Sequence, residues 1–340
     1  MNVAVLTKNN SNKLRDVGDI NAKALYNNLK NLGVDAYLVY FKSDKKDSSR
    51  ETSIWKALLQ SYDIIYASSP KRVDSIFCIL FALFHFRPLY ISIFDSTLSP
   101  ITKNYLSKTV FRLLYRTGII KLFAVSKYQQ KVLTESLNIT PPILFPCLLS
   151  FGYNKSYRKT TPPTITFAGS TNNQKRGIDT LLLALNLLVK KHPDIRIRIL
   201  NKFTKNERWS ETAPQLIKKL KLEKFIKNVG YVKSMSNEYK KSWAYVLPFN
   251  ETLYIPPLPF TMIEAMSFSV PVISSDIQAF RELLPSNHLI PPGDHHLLAN
   301  KINEIISHKA KTSIPQQYYP ENVSKEFLKL TGRYLLYIKI

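Results

Sequence analysis

The residues best suited to chemistry lie in PFTMIEAMSFSVPVISSD, residues 259–276. Thr261 and Glu264 have the T-x-x-E spacing of a capping box, in which Thr261 accepts from the amide of Glu264 and Glu264 reaches back. Two roles are open to Glu264: closing the start of a helix, or accepting hydrogen bonds from the hydroxyls of a bound sugar. The amides of Phe260, Thr261 and Met262 at that helix start favour an anion such as a phosphate. A second segment, TFAGSTNNQKRGIDTLLLAL at 166–185, runs from a strand ending at Ala168 into Gly169 and Ser170, then a polar loop with Lys175 and Arg176 just before a helix. Two cations there suit a diphosphate, or plain solvation. A third, HLIPPGDHHLLANKINEI at 288–305, reads as strand, turn and helix without chemistry of its own. His295 and His296 are adjacent and read as surface residues.

Other chemistries are excluded. The nine glycines never fall within five positions of one another, so neither G-x-G-x-x-G nor G-x-x-x-x-G-K-[ST] exists. H-E-x-x-H, C-x-x-C, G-x-S-x-G and D-x-D are also missing. The expectation is a site without metal or other cofactor. Two cysteines, Cys78 and Cys147, in apolar surroundings fit a reduced interior rather than a disulfide scaffold.

The 340 residues carry 48 Lys and Arg against 24 Asp and Glu, a formal net charge of +24. From Lys103 to Lys131 seven residues are basic and none acidic. Lys108, Arg112 and Arg116, at i, i+4 and i+8, share a helix face, with Leu106, Val110, Leu113 and Leu114 on the other side. Such a helix serves as a solvated surface or as an attachment to an anionic membrane; a nucleic-acid patch is disfavoured because no base-stacking motif accompanies it. The uncharged run Ile76 to Phe86 is 11 residues, against roughly 20 for a spanning helix. The start, MNVAVLTKNN, does not read as a signal peptide. A cytoplasmic protein, peripheral at the inner face of the membrane, is expected.

Elements able to position these residues alternate along the chain. Strands are predicted near 3–7, 36–41, 64–67, 89–94, 122–125 and 143–146, then near 165–168, 195–200, 228–232, 245–248, 271–274 and 289–291. Helices between them include 21–32, 54–60, 180–191, 213–220, 261–268 and 296–306. This alternation implies α/β architecture with parallel sheets. The length and a proline-bearing stretch around 141–163 imply two doubly wound domains, 1–152 and 163–321, with a C-terminal helix at 322–340 returning to the first. Ligands of such folds sit at strand carboxyl ends, here expected in a cleft between the domains.

Together these segments resemble the retaining, nucleotide-sugar-dependent glycosyltransferases of family 4, which have the GT-B fold of two Rossmann-like domains facing across a cleft. The resemblance rests on FAGSTNNQKRGID, PFTMIEAMSFSVPVISSDIQAFREL and LIPPGD in that order, with GYVKSMSNEYKKSWAYVLPF at 230–249, where Tyr231 falls in the family's G-(Y/F)-V stretch. It implies transfer of a sugar from a nucleotide-diphosphate donor to a lipid-linked, glycan or protein acceptor. Glu264 matches the second glutamate of the family's pair. Position 256, where the first belongs, is proline, and Glu251 stands 13 positions before Glu264. Ser170 occupies the place of the family's phosphate-binding arginine, and Arg176 falls at its lysine, with Lys175 adjacent. Gly18 is what remains of a glycine-rich loop after the first strand, and Asp95 follows Phe94 where the family has His-Asp. The implied roles are Arg176 and Lys175 stabilising the leaving diphosphate, Asp95 and Gly18 completing the cleft, and Glu264 holding the donor ribose. A degenerate fold that only binds nucleotide and a basic nucleic-acid-binding protein are the competing readings.

Overall fold

The computed structural model describes residues 1–9, 17–42, 51–70, 72–94, 105–155, 157, 160–169, 176–200, 212–232, 234–251, 258–308 and 311–332. Two units emerge: Met1–Leu149 with Tyr254–Leu258 and Pro315–Ile340, and Ser150–Leu253 with Pro259–Ile314. Pro315 to 321 thus belongs to the first unit.

The first unit is built on β1 (Asn2–Asn9), β2 (Asp35–Lys42), β3 (Glu51–Ser53), β4 (Ile64–Ser68), β5 (Leu89–Ser92) and β6 (Ile120–Phe123). They form one sheet in the order β3-β2-β1-β4-β5-β6. The pairings are parallel, as in Val3 with Ala36 and Ile64. Every residue of β4 is buried, as expected for a central parallel strand with both faces covered. One face carries α1 (Val17–Asn31) and α11 (Pro320–Leu330), whose Leu25, Leu29, Val323 and Phe327 share a core with Val3 and Val5. The other carries α2 (Ile54–Ala57), α3 (Arg72–Phe84), α4 (Tyr105–Arg116) and α5 (Lys127–Leu137), packed around Leu6, Ile65 and Ile91.

The second unit repeats the plan with β7 (Thr164–Ala168), β8 (Arg196–Leu200), β9 (Ile226–Gly230), β10 (Ala244–Leu247), β11 (Val272–Ser275) and β12 (Leu289–Ile290) in the order β12-β11-β10-β7-β8-β9. Its helices are α6 (Ile178–Leu188), α7 (Thr212–Lys219), α8 (Met235–Lys241), α9 (Phe260–Ser267) and α10 (His295–His308). In each sheet the chain winds outward one way, returns, and winds the other. The reversal falls between β1 and β4 in the first and between β7 and β10 in the second, and it is there that ligands of such sheets bind.

Three expectations change. The run at 143–146 is no strand; Ile143 makes a single bridge to Ala124, because the flanking prolines leave too few amides for a ladder. The strand β3 was not foreseen, since three residues are too short for a pattern. The long apolar helix α3 was also not foreseen as an element: an all-apolar run shows no helical period.

Candidate nucleotide-sugar site

At the reversal point of the second sheet, β7 ends at Ala168 and β10 at Leu247. Gly177 fixes the geometry there. Its φ is +73°, and a Cβ added to it would lie 1.5 Å from the Pro248 carbonyl oxygen. Only glycine allows the start of α6 to meet the end of β10 this closely. Thr180, in the first turn of α6, then donates to Asn250 Oδ1 at 2.7 Å. The same approach places the Arg176 guanidinium 5.2 Å from the centroid of the Phe249 ring, a cation–π geometry. Arg176 has no carboxylate partner among the described residues. Burial lowers its pKa, partly offset by nearby Tyr245. Gly169 continues the ladder, donating to the Leu200 carbonyl at 3.0 Å, and a Cβ on it would meet only ordinary contacts. Ser170 and Lys175 lie outside the described residues.

Helix α9 does not start as the T-x-x-E spacing predicts. Pro259 is the N-cap residue and Phe260 the first helical one. Thr261 is therefore already inside the first turn and cannot accept from Glu264, so the capping box does not form. The Met262 amide is also not free: it donates to the Pro259 carbonyl at 3.1 Å. The carboxyl of Glu264 turns inward and is buried. The Tyr239 hydroxyl donates to its Oε2 at 3.0 Å. Its other oxygen accepts no hydrogen bond among the described residues. Desolvation raises the Glu264 pKa to about 8, against a lowering by the Tyr239 bond; the carboxyl is mainly protonated at neutral pH.

Tyr245 lies within electrostatic reach of both Arg176 and Glu264. Its phenol hydrogen-bonds Thr261, and its pKa is raised by burial while Arg176 pulls it down. The rings of Tyr239 and Tyr245 meet edge to face with centroids 5.9 Å apart. Sequence reasoning missed both tyrosines. The signal was present in AYVL, where a phenol inside a fully apolar strand must find a polar partner. Tyr231, just past β9, and Glu251, after the bend at Asn250, are both exposed.

The first sheet has its own cradle at the reversal between β1 and β4. A Cβ on Gly18 would lie 2.4 Å from the Ser68 carbonyl oxygen, so α1 starts against the end of β4 only because residue 18 is glycine. Asp19 accepts from the Thr7 hydroxyl at 2.6 Å and the Lys8 amide at 3.0 Å. A pocket opens there between Thr7, Lys8, Asp19, Ser69 and Asp74. Asp95 lies outside the described residues.

On α4 the expected faces are rotated. Phe111, Leu114 and Tyr115 pack inward, while Val110 and Leu113 are exposed. Arg112 is not free: its Nε donates to the Leu137 carbonyl at 2.8 Å, closing the end of α5. Lys108 is half-buried and Arg116 exposed.

Both reversal points carry glycine-enforced close approaches next to polar side chains, in two sheets of parallel strands. The fold is that of the GT-B glycosyltransferases. Residues 153–321 match the family model described as Glycosyl transferases group 1. Over 142 residues the GT-B chain is 25% identical to a phosphatidyl-myo-inositol mannosyltransferase of Mycobacterium leprae, covering 41% of this chain and 36% of that relative. The chain thus spans about a third of the length of the curated relative it matches. Among solved structures, Anabaena HepE in complex with UDP-glucose superposes with a TM-score of 0.66 at 16% identity, covering 100% of this chain and 98% of that one. The lipopolysaccharide outer core galactosyltransferase WaaB matches with a TM-score of 0.61 at 13% identity over the full length of both. The GT-B chain resembles family 4 in the order and spacing of its second-unit motifs.

Proposed function

We propose that this protein transfers a sugar from a UDP-sugar to an acceptor hydroxyl, with retention at the anomeric carbon. The observation that carries the proposal is that a half-buried Arg176 without a carboxylate partner among the described residues, and a buried Glu264, both lie within electrostatic reach of Tyr245 at one strand reversal. HepE, with the same fold, is described with UDP-glucose bound, which supports a uridine donor. In this reading Arg176, with Lys175, offsets the charge that builds on the diphosphate as the bond from the anomeric carbon to the phosphate oxygen breaks. Such preorganised charge is usually the largest catalytic contribution. The free oxygen of Glu264 meets the ribose hydroxyls, and Tyr239 holds the carboxyl in place. The acceptor oxygen bonds to the anomeric carbon on the face the phosphate leaves, and its proton passes to the departing phosphate oxygen. No metal ion is assigned a role, so protein cations carry the neutralisation. Asp95 and Gly18 serve the acceptor side. The acceptor is membrane-proximal, because α4 and the segment after it carry cations and no carboxylate from 103 to 131.

The test is a calorimetric screen of UDP-, GDP- and ADP-sugars, followed by donor hydrolysis and by NMR of the product's anomeric proton. Binding of a UDP-sugar, its turnover and an unchanged anomeric configuration support the reading. Binding without turnover favours a nucleotide-binding protein that has lost transfer, a reading suggested by Pro256 at the place of the family's first glutamate.

A further inference from the structure

Helix α3, RVDSIFCILFALF, is apolar on both sides. Cys78, Phe81 and Ala82 face the sheet and are buried. The opposite side carries Ile76, Phe77, Leu80, Leu83 and Phe84 at helical spacing, all exposed, Leu80 by 56% and Phe84 by 59%. A helix hydrophobic all round is normally buried on all sides; here half of it is open. The helices on the same face of the sheet add to it. Trp55 and Leu59, on α2 and just after it, are 72% and 90% exposed, and Val110 and Leu113 on α4 are exposed too. Ten of the thirteen large exposed apolar side chains of the described chain fall between Trp55 and Leu113, on or beside these three helices. Exposed apolar groups gathered this way mark an interaction surface.

Charge identifies the occupant. On α4 Lys108 and Arg116 stand in sequence on either side of the exposed Val110 and Leu113, and no residue from 103 to 131 is acidic; Arg112 is held by the Leu137 carbonyl and Lys131 pairs with Glu135. A protein partner would have to match this apolar face with its own and also supply acid at its edge. An anionic bilayer offers both at once: hydrocarbon just below a negatively charged plane. Among the described residues no helix is long and apolar enough to cross a membrane, so the face would lie in the interface.

We propose that the outer side of α2, α3 and α4 inserts into the surface of an anionic bilayer, the aromatic and aliphatic side chains entering the acyl boundary and Lys108 and Arg116 of α4 pairing with headgroups. This deepens the membrane-proximal reading above, yet vesicle binding itself is read without donor or acceptor. Trp55 is a built-in probe. The full chain is mixed with vesicles of phosphatidylglycerol and phosphatidylcholine, with and without brominated acyl chains. Expected are co-sedimentation with the anionic vesicles at low salt and quenching by the brominated lipid that disappears in Trp55→Phe. Leu80→Glu with Phe84→Glu should weaken vesicle binding at least tenfold while donor binding by calorimetry stays as in the wild type. If those two substitutions disturb folding, Arg116→Glu and the salt series still test the electrostatic half. Absent quenching, or vesicle binding indifferent to the glutamates, overturns the proposal. A concentration-dependent dimer that the glutamates abolish, with no vesicle binding, also overturns it and gives the face to a second copy of the chain. Loss of vesicle binding with donor binding intact concerns this surface alone; failure of the donor screen concerns only the transfer reading.

Discussion

The phenol of Tyr239 donates to Glu264 Oε2 at 3.0 Å, and both side chains are buried. Helix α8 thereby fixes the rotamer of the one carboxyl on α9 that faces inward. A carboxyl in this setting pays a desolvation cost when ionised, which a neutral amide of the same shape does not pay.

That cost makes stability depend on pH. The Glu264 pKa is raised from 4.5 to about 8 in the folded protein. The contribution of the protonated carboxyl is fully present below about pH 4.5 and is lost as pH rises through about 8, by at most about 1.4 kcal/mol per unit. Between pH 5 and 8 the melting temperature of the wild type should fall by several degrees relative to Glu264→Gln. Parallel curves for the two proteins in calorimetric scans would count against a buried, protonated Glu264.

Glu264→Ala should weaken UDP-sugar binding by about 0.5–1.5 kcal/mol for each ribose hydroxyl it meets, the usual range for a hydrogen bond to a neutral group. Tyr239→Phe should produce a smaller loss, because it frees the carboxyl without removing it. Titration calorimetry of both variants measures the ratio. Unchanged affinity with a lowered melting temperature in Glu264→Ala would leave the residue a purely structural role.

Arg176→Ala should lower kcat by about 10²-fold, with a smaller change in donor KM, because its charge matters most as the diphosphate leaves. Arg176→Lys should recover only part of this, since an ammonium lacks the planar face that lies over Phe249. Steady-state kinetics with saturating acceptor separates the two parameters. Equal kcat in all three proteins would place the diphosphate elsewhere.

Gly177→Ala should destabilise the second unit by more than about 2 kcal/mol, since both a left-handed φ and a clash with the Pro248 carbonyl must be relieved. Gly18→Ala should act likewise in the first unit by pushing α1 away from Ser68. Chemical denaturation followed by circular dichroism would show each. A wild-type midpoint in Gly177→Ala would mean the turn relaxes freely.

The sequence by itself determined what depends on local pattern. Runs such as TITFA and AYVL, separated by helical stretches, specify parallel α/β units, because strand and helix periods are set by near neighbours. The motif around Glu264 and the basic Lys175–Arg176 pair were legible for the same reason: chemistry-bearing residues fall at the ends of readable elements. Tertiary structure alone decided three things. It set the N-cap of α9 at Pro259, two residues before the Thr261 that the T-x-x-E spacing suggests. It brought Tyr239, 25 residues away, onto Glu264, a pairing that depends on how α8 and α9 pack. It also left the outer side of α3 uncovered, whereas an apolar run in sequence is the same whether its far side meets protein or water. Burial belongs to the packed molecule, since it is fixed by which elements from distant parts of the chain come to lie against one another.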